Sequence, residues 1–228
     1  MPFSYYEVSI VVKSISYSQD EILQNIIKLY IGKEDGCTFQ VDPCYSKGNF
    51  YKKIRTPQFC FDIEPQLPFV KKCDCRHLPF GEETIESIIF DPPFLATKGP
   101  SLNKCDNNNH INKRFGVYSS EKELFQMYKD SIEEFNRILV NDGILVVKIQ
   151  DKISSGTQYL SHVAIINFCN QLGLYCEDIF VLLAKSRLVA GWQVKNQKHS
   201  RKFHSYFLVF RKNSKKCEKV LKEMYYNE

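Results

Sequence analysis

No apolar run in this 228-residue chain approaches the roughly 20 residues that a membrane-spanning helix needs, so such a helix is excluded. Zinc-type cysteine pairs are missing as well. Cys73-Asp74-Cys75 lacks the two-residue spacer of a zinc knuckle and has no second pair to complete a ligand set, so no metal is expected. No signal peptide precedes the nine cysteines, an odd number, which points to reduced thiols in a cytosolic or nuclear setting. Nothing demands a second domain, and residues 1–228 read as one α/β unit with a single core. The charge balance is mildly basic, with a formal net charge of +5 and a pI near 8.6, which permits an anionic partner without proving one.

What is present is organised around Ile88-Ile89-Phe90-Asp91-Pro92-Pro93-Phe94. A β-prone run, Glu86 to Phe90, stops at an acid and two prolines. Proline has no N–H and a fixed φ, so neither a strand ladder nor a helix continues through residues 92 and 93. The segment therefore displays a carboxylate, main-chain carbonyls and a ring at the carboxyl end of a strand, where open α/β sheets place their ligands. The same arrangement recurs. Asp42 follows Cys37 to Val41, Asp62 closes Gln58 to Ile63, and Asp74 follows Val70 to Cys73, so four acids stand at the ends of four apolar strands. In a parallel sheet those ends share one edge, and four carboxylates converge on one cleft.

Asp91-Pro92-Pro93-Phe94 resembles the Asp-Pro-Pro-Tyr/Phe motif of S-adenosylmethionine-dependent amino-methyltransferases, which methylate adenine N6, cytosine N4 or guanine N2. Residues 137–148, Arg-Ile-Leu-Val-Asn-Asp-Gly-Ile-Leu-Val-Val-Lys, are similar to that family's helix, glycine turn and fifth strand. The resemblance covers about residues 20 to 212. It implies a Rossmann-like methyltransferase fold, a mostly parallel seven-stranded sheet with an antiparallel last strand and helices on both faces. It also implies S-adenosyl-L-methionine as cofactor and DNA as substrate, with adenine N6 foremost; the alternatives are cytosine N4 in DNA, adenine N6 or guanine N2 in RNA, and a catalytically inactive nucleic-acid-binding subunit of the same fold. Within it, the Asp91 carboxylate and the Pro92 carbonyl would accept the amine N–H groups and aim the nitrogen lone pair, Pro93 would fix the turn, and Phe94 would stack on a flipped base. Asp42, Pro43, Cys44 and Tyr45 would hold the amino-acid end of the cofactor, with Gly48 allowing close approach. Asp62, or else Glu64, would take the ribose hydroxyls. Asp74 would accept from the adenine amine, Cys75 N–H would face a ring nitrogen, and Leu78 would pack on the ring. The first turn departs from the family's glycine-rich pattern, carrying Tyr45 and Lys47 and a single glycine.

The remaining chain reads around that frame. Residues 1–19 form a strand, Glu7 to Val12, or an arm. A helix capped by Ser18 or Asp20 runs to Tyr30 and stops at Gly32. A brief helical piece is expected before Ile54. Residues 95–118 are a long polar loop, read as a lid over nucleic acid that contributes Lys98, Lys113 and Arg114. Ser120 caps a helix from Glu121 to Leu139 with Leu124, Tyr128, Ile132 and Phe135 on one face. The strand Ile144 to Ile149, a helix from Gln158 to Leu172 and two antiparallel strands, Ile179 to Ala184 and Ser205 to Phe210, follow. Between those last strands, residues 186–204 interleave Arg187, Lys195, Lys198, Arg201 and Lys202 with Trp192, which suits phosphate contact plus stacking. Residues 213–228 form a terminal helix. No separate target-recognition domain fits, so recognition falls to the two loops, a partner chain or a second copy.

Overall fold

A computed structural model describes residues 11–94, 96, 118–186 and 197–225. The expected strand or arm at Glu7 falls outside them, as do Lys98, Lys113, Arg114, Arg187, Trp192 and Lys195.

Side-chain alternation builds the core. Along β5 (Ile85–Phe90) and β6 (Leu139–Ile149), Ile88, Phe90, Leu145 and Val147 point to one side of the sheet, while Ile89, Ile144 and Val146 point to the other. Both sets are fully or almost fully buried, which is the pattern of strands covered on two faces. On the first face lie α2 (Glu121–Ile138) and α3 (Ser161–Gln171), through Leu124, Tyr128, Ile132, Phe135, Ile165 and Cys169. On the second lies α1 (Gln19–Ile26), through Ile22, Leu23 and Ile26. Ser18 caps α1 by accepting from Glu21 N, and Ser120 caps α2 by accepting from Glu123 N. A π-helical turn, Ile27–Ile31, carries α1 on to Gly32.

The short strands are β1 (Ile15–Ser16), β2 (Val41–Asp42), β3 (Phe59–Asp62) and β4 (Lys71–Lys72). With β9 (Leu174–Leu183) and β10 (His204–Lys212) they complete an eight-stranded sheet in the order β1-β9-β10-β6-β5-β2-β3-β4. The pairs β2–β3, β2–β5, β3–β4 and β5–β6 are parallel, and β10 runs antiparallel to both β6 and β9. This is the mostly parallel sheet with an antiparallel last strand that the methyltransferase resemblance implies. β1, parallel to β9, adds an eighth strand inside the expected N-terminal strand or arm of residues 1–19, at Ile15–Ser16. The helix α4 (Ser214–Tyr225) follows β10.

Four local expectations are corrected. The residues before Ile54 form consecutive turns and no helix, because Ser46 and Gly48 adopt φ of 53° and 69° and interrupt any right-handed coil. Asn141-Asp142-Gly143 is an irregularity inside β6 rather than a turn before it, with a register shift against β5. The helix expected from Gln158 starts at Ser161, since β7 (Lys152–Ser154) and β8 (Thr157–Tyr159) form a hairpin first. β9 begins five residues before Ile179, because its polar residues are satisfied across the sheet and beneath it. Glu177 meets Arg211 and Asp178 accepts from Tyr30 Oη at 2.7 Å.

Candidate active site

The parallel strands end together, and the acids end with them. Asp42, Asp62, Asp74 and Asp91 all line one cavity of about 230 Å³, with Pro43, Cys44, Tyr45, Cys75, Pro93 and Phe94. Ten of the expected site residues therefore meet in a single enclosure. Pro92 is buried and does not line it. Gly48, Glu64 and Leu78 do not line it. Gly48 lies under the Tyr45 ring, where an added Cβ would come within 2.6 Å of Tyr45 Oη. Glu64 is exposed and donates its N–H to Asp62 Oδ1 at 2.8 Å. Leu78 is buried in the core beside α2 instead of facing the cavity, its N–H bonded to Glu134 Oε1. Lys198, Arg201 and Lys202 lie on the approach to β10, outside the cavity wall.

Each carboxylate is already anchored. Asp42 Oδ1 accepts from Cys44 N at 2.8 Å and Oδ2 from Tyr51 Oη at 2.5 Å. Burial dominates these bonds and pushes the Asp42 carboxyl up to about 7. Asp62 accepts from Ser46 N and Glu64 N, both at 2.8 Å, so it ties the first turn to the end of β3. Asp74 holds the Arg76 guanidinium in a two-pronged pair, with Nη2 to Oδ2 at 2.6 Å, and its carboxyl lies below the ordinary value chiefly because of that bond. Asp91, a third exposed, is raised by its enclosure and pulled back by Lys148, whose Nζ lies 3.6 Å from Oδ2. Each carboxylate oxygen has two acceptor positions, so these bonds leave capacity for a ligand.

The motif loop is pinned by its carbonyls. Tyr128 Oη of α2 donates to Pro93 O at 2.6 Å, and Lys152 Nζ donates to Phe94 O at 2.8 Å. Neither bond engages the Pro92 carbonyl. The Phe94 ring stays 41 % exposed at the cavity mouth, available for stacking.

Several contributors escaped the sequence reading. Tyr51 stacks on Tyr45 with ring centroids 5.0 Å apart and 4° between planes, and its hydroxyl reaches Asp42. Ile63, Tyr118 and Met127 add apolar wall, and Arg76 adds charge. The Cys75 thiol meets Ser131 Oγ at 3.2 Å, and the neighbouring Cys44 and Cys75 thiols, both free, influence each other, with Cys44 raised and Cys75 lowered. Only Lys148 left a sequence signal, a lysine inside the apolar run of β6. In the glycine-poor first turn, Ser46 takes a left-handed φ of 53°, a conformation that glycine adopts more readily.

Among the described residues, no group of three or more His, Cys, Asp or Glu side chains could hold a metal. No helix among them is long and apolar enough to cross a membrane.

No family model matches the sequence, and no curated protein matches it. Among solved structures, the chain is similar to a Thermus thermophilus protein described as a DNA modification methylase and complexed with S-adenosyl-L-methionine, at 18% identity and a TM-score of 0.42, covering 61% of this chain and 53% of that one. A second is the PvuII DNA methyltransferase, described as cytosine-N4-specific, at 19% identity and a TM-score of 0.43, covering 63% and 49%. A third is the PH0226 protein of Pyrococcus horikoshii, at 12% identity and a TM-score of 0.46, covering 85% and 89%. The chain spans about half the length of the first two. At these values they add nothing to what its own strand order and cavity establish.

Proposed function

We propose that this protein transfers a methyl group from S-adenosyl-L-methionine to an exocyclic amine of a nucleobase, with adenine N6 in DNA as the target. One observation carries the reading: the four strand-end carboxylates and the Asp91-Pro92-Pro93-Phe94 motif line one cavity. The cofactor fits the donor set found there. Asp42 and the turn behind it suit its cationic amino-acid end, Asp62 its ribose hydroxyls, and Asp74 with Cys75 N–H and the apolar Ile63 its adenine. Bound there, it would supply a methyl group on a sulfonium, which leaves as a neutral thioether.

The chain's own residues then supply position. The Asp91 carboxylate and the Pro92 carbonyl accept the two amine N–H groups, which turns the nitrogen lone pair toward the methyl. The nitrogen would gain a bond to the methyl carbon as that carbon's bond to sulfur breaks and leaves a neutral thioether, and the proton the amine loses would pass by way of the Asp91 carboxylate to solvent. Phe94 stacks on the base, offsetting the few kcal/mol that extrusion from a duplex costs. Tyr128 and Lys152, by holding the next two carbonyls, keep the Pro92 carbonyl aimed. The preference for adenine follows the family resemblance, in which an acid at the first motif position is commoner among the adenine enzymes.

The test is incubation with labelled cofactor and a panel of DNA and RNA, followed by digestion to nucleosides and mass identification of the labelled base. Labelled N6-methyladenine from DNA is expected, and Asp91→Ala should abolish it while cofactor affinity stays nearly intact. Label on another base amine or in RNA would replace the target; no label in any base would overturn the reading.

A further inference from the structure

Lys148 is the one charge set inside the apolar run of β6, and its side chain is only one-fifth exposed. Lysines are rarely buried unless paired, and this one is held from several directions. Gln19 Oε1 of α1 accepts its ammonium at 3.0 Å. The rings of Phe50 and Phe207 lie against it, with centroids 4.7 Å and 5.7 Å from Nζ. The remaining direction is Asp91 Oδ2 at 3.6 Å. Lys148 does not line the cavity; it stands behind the carboxylate that does.

We propose that Lys148 is a positioning residue for methyl transfer: pairing with Asp91 from behind, it keeps that carboxylate ionised and its free acceptor positions turned to the amine. The proposal rests on the reading of Asp91 as an acceptor for the target amine. The chemistry requires an ionised acid, because a protonated carboxyl offers an O–H where the amine needs an acceptor. Enclosure alone favours the protonated form, so a positive charge in contact decides the state. Among the described residues, the groups facing Asp91 are few. Lys148 comes from β6, Asp42 from the end of β2 and Tyr128 from α2, and the last two oppose the Asp91 charge when ionised themselves. Lys148 is therefore the only one of the three that favours the carboxylate. Through Gln19 it also links α1, which covers the sheet, to the Asp91 end of the cavity.

Two readouts test this on the full chain. The first is the titration midpoint of Asp91, from ¹³C-carboxyl NMR of aspartate-labelled, cofactor-free protein, assigned with Asp91→Asn. The second is the acid limb of the methyl-transfer rate. Lys148→Met and Lys148→Gln should raise the midpoint by about 1–3 pH units and move the acid limb up equally. Lys148→Arg should restore both, and cofactor affinity should change less than about threefold. A lower melting temperature with midpoint and limb unmoved would reduce Lys148 to a packing role and overturn the proposal. So would a wild-type Asp91 midpoint above pH 7, a result available even if neither neutral variant folds. If the wild type methylates no base while the midpoint shifts as expected, the pairing stands and the functional reading fails. If methylation proceeds and the midpoint stays put, the pairing alone is wrong.

Discussion

Replacing Lys152 by methionine isolates what holds the motif loop. Lys152 Nζ lies 2.6 Å from Glu121 Oε2 and 2.8 Å from the Phe94 carbonyl oxygen, and both side chains of the pair are largely buried. Among the described residues Glu121 Oε2 takes no hydrogen bond, so the ammonium is its compensation. Methionine matches the stem but leaves the glutamate charge unpaired, which costs about 3–5 kcal/mol in comparable buried pairs. For a chain of this length that is a fall in melting temperature of the order of 10 °C. Glu121→Gln removes the stranded charge, so the double variant should recover most of the loss. The recovery should not extend to catalysis, because the Phe94 carbonyl still lacks its donor. Urea unfolding of the four members of the cycle, with methyl-transfer rates on the same preparations, gives both quantities. Additive stabilities, with no recovery in the double variant, would refute the pairing. Full activity in a stable double variant would refute the role given to Lys152 at the loop.

Gly48→Ala should lose about 1–2 kcal/mol for the left-handed φ alone, and more as its Cβ presses Tyr45 off Tyr51, measured by urea unfolding. Asp42 holds its proton up to about 7 in the folded protein but only to its ordinary value of 3.8 when unfolded, so between those values stability falls as pH rises. Asp42→Asn cannot lose that proton, so thermal melts should show it gaining on the wild type by up to about 1.4 kcal/mol per pH unit across the window and level outside it. Phe94→Ala should leave stability within about 0.5 kcal/mol, since the ring is half out of the core. It should slow methylation roughly tenfold to a hundredfold, the value of one base stack, measured as kcat/KM on DNA.

The features written locally were legible in the sequence, and those made by the fold were not. Asp42, Asp62, Asp74 and Asp91 each follow a short apolar run, and parallel strands bring such positions to one edge without further information. The hairpin β7–β8 also had a local sign, Ser155-Gly156 between two short segments, with φ of 50° and 79° as a two-residue turn requires. The early start of β9 had none, because Glu177 and Asp178 look like loop residues until Arg211 and Tyr30 are placed beside them. Tyr51 is similar. Nothing in its neighbourhood marks it as the partner of Asp42, since their bond depends on a turn set by left-handed Ser46 and Gly48. Leu78 shows the converse: adjacency to Asp74 and Cys75 placed it at the ligand, while its hydrophobicity took it into the core with α2.

Calorimetric titration of the purified chain with S-adenosyl-L-methionine bears most directly on the central claim, that the convergent carboxylates form a cofactor pocket. One equivalent should bind per chain, with S-adenosylhomocysteine competing. Below pH 7 the heat should vary with the ionisation enthalpy of the buffer, as the cationic cofactor displaces the Asp42 proton. A flat titration of folded protein would contradict the account.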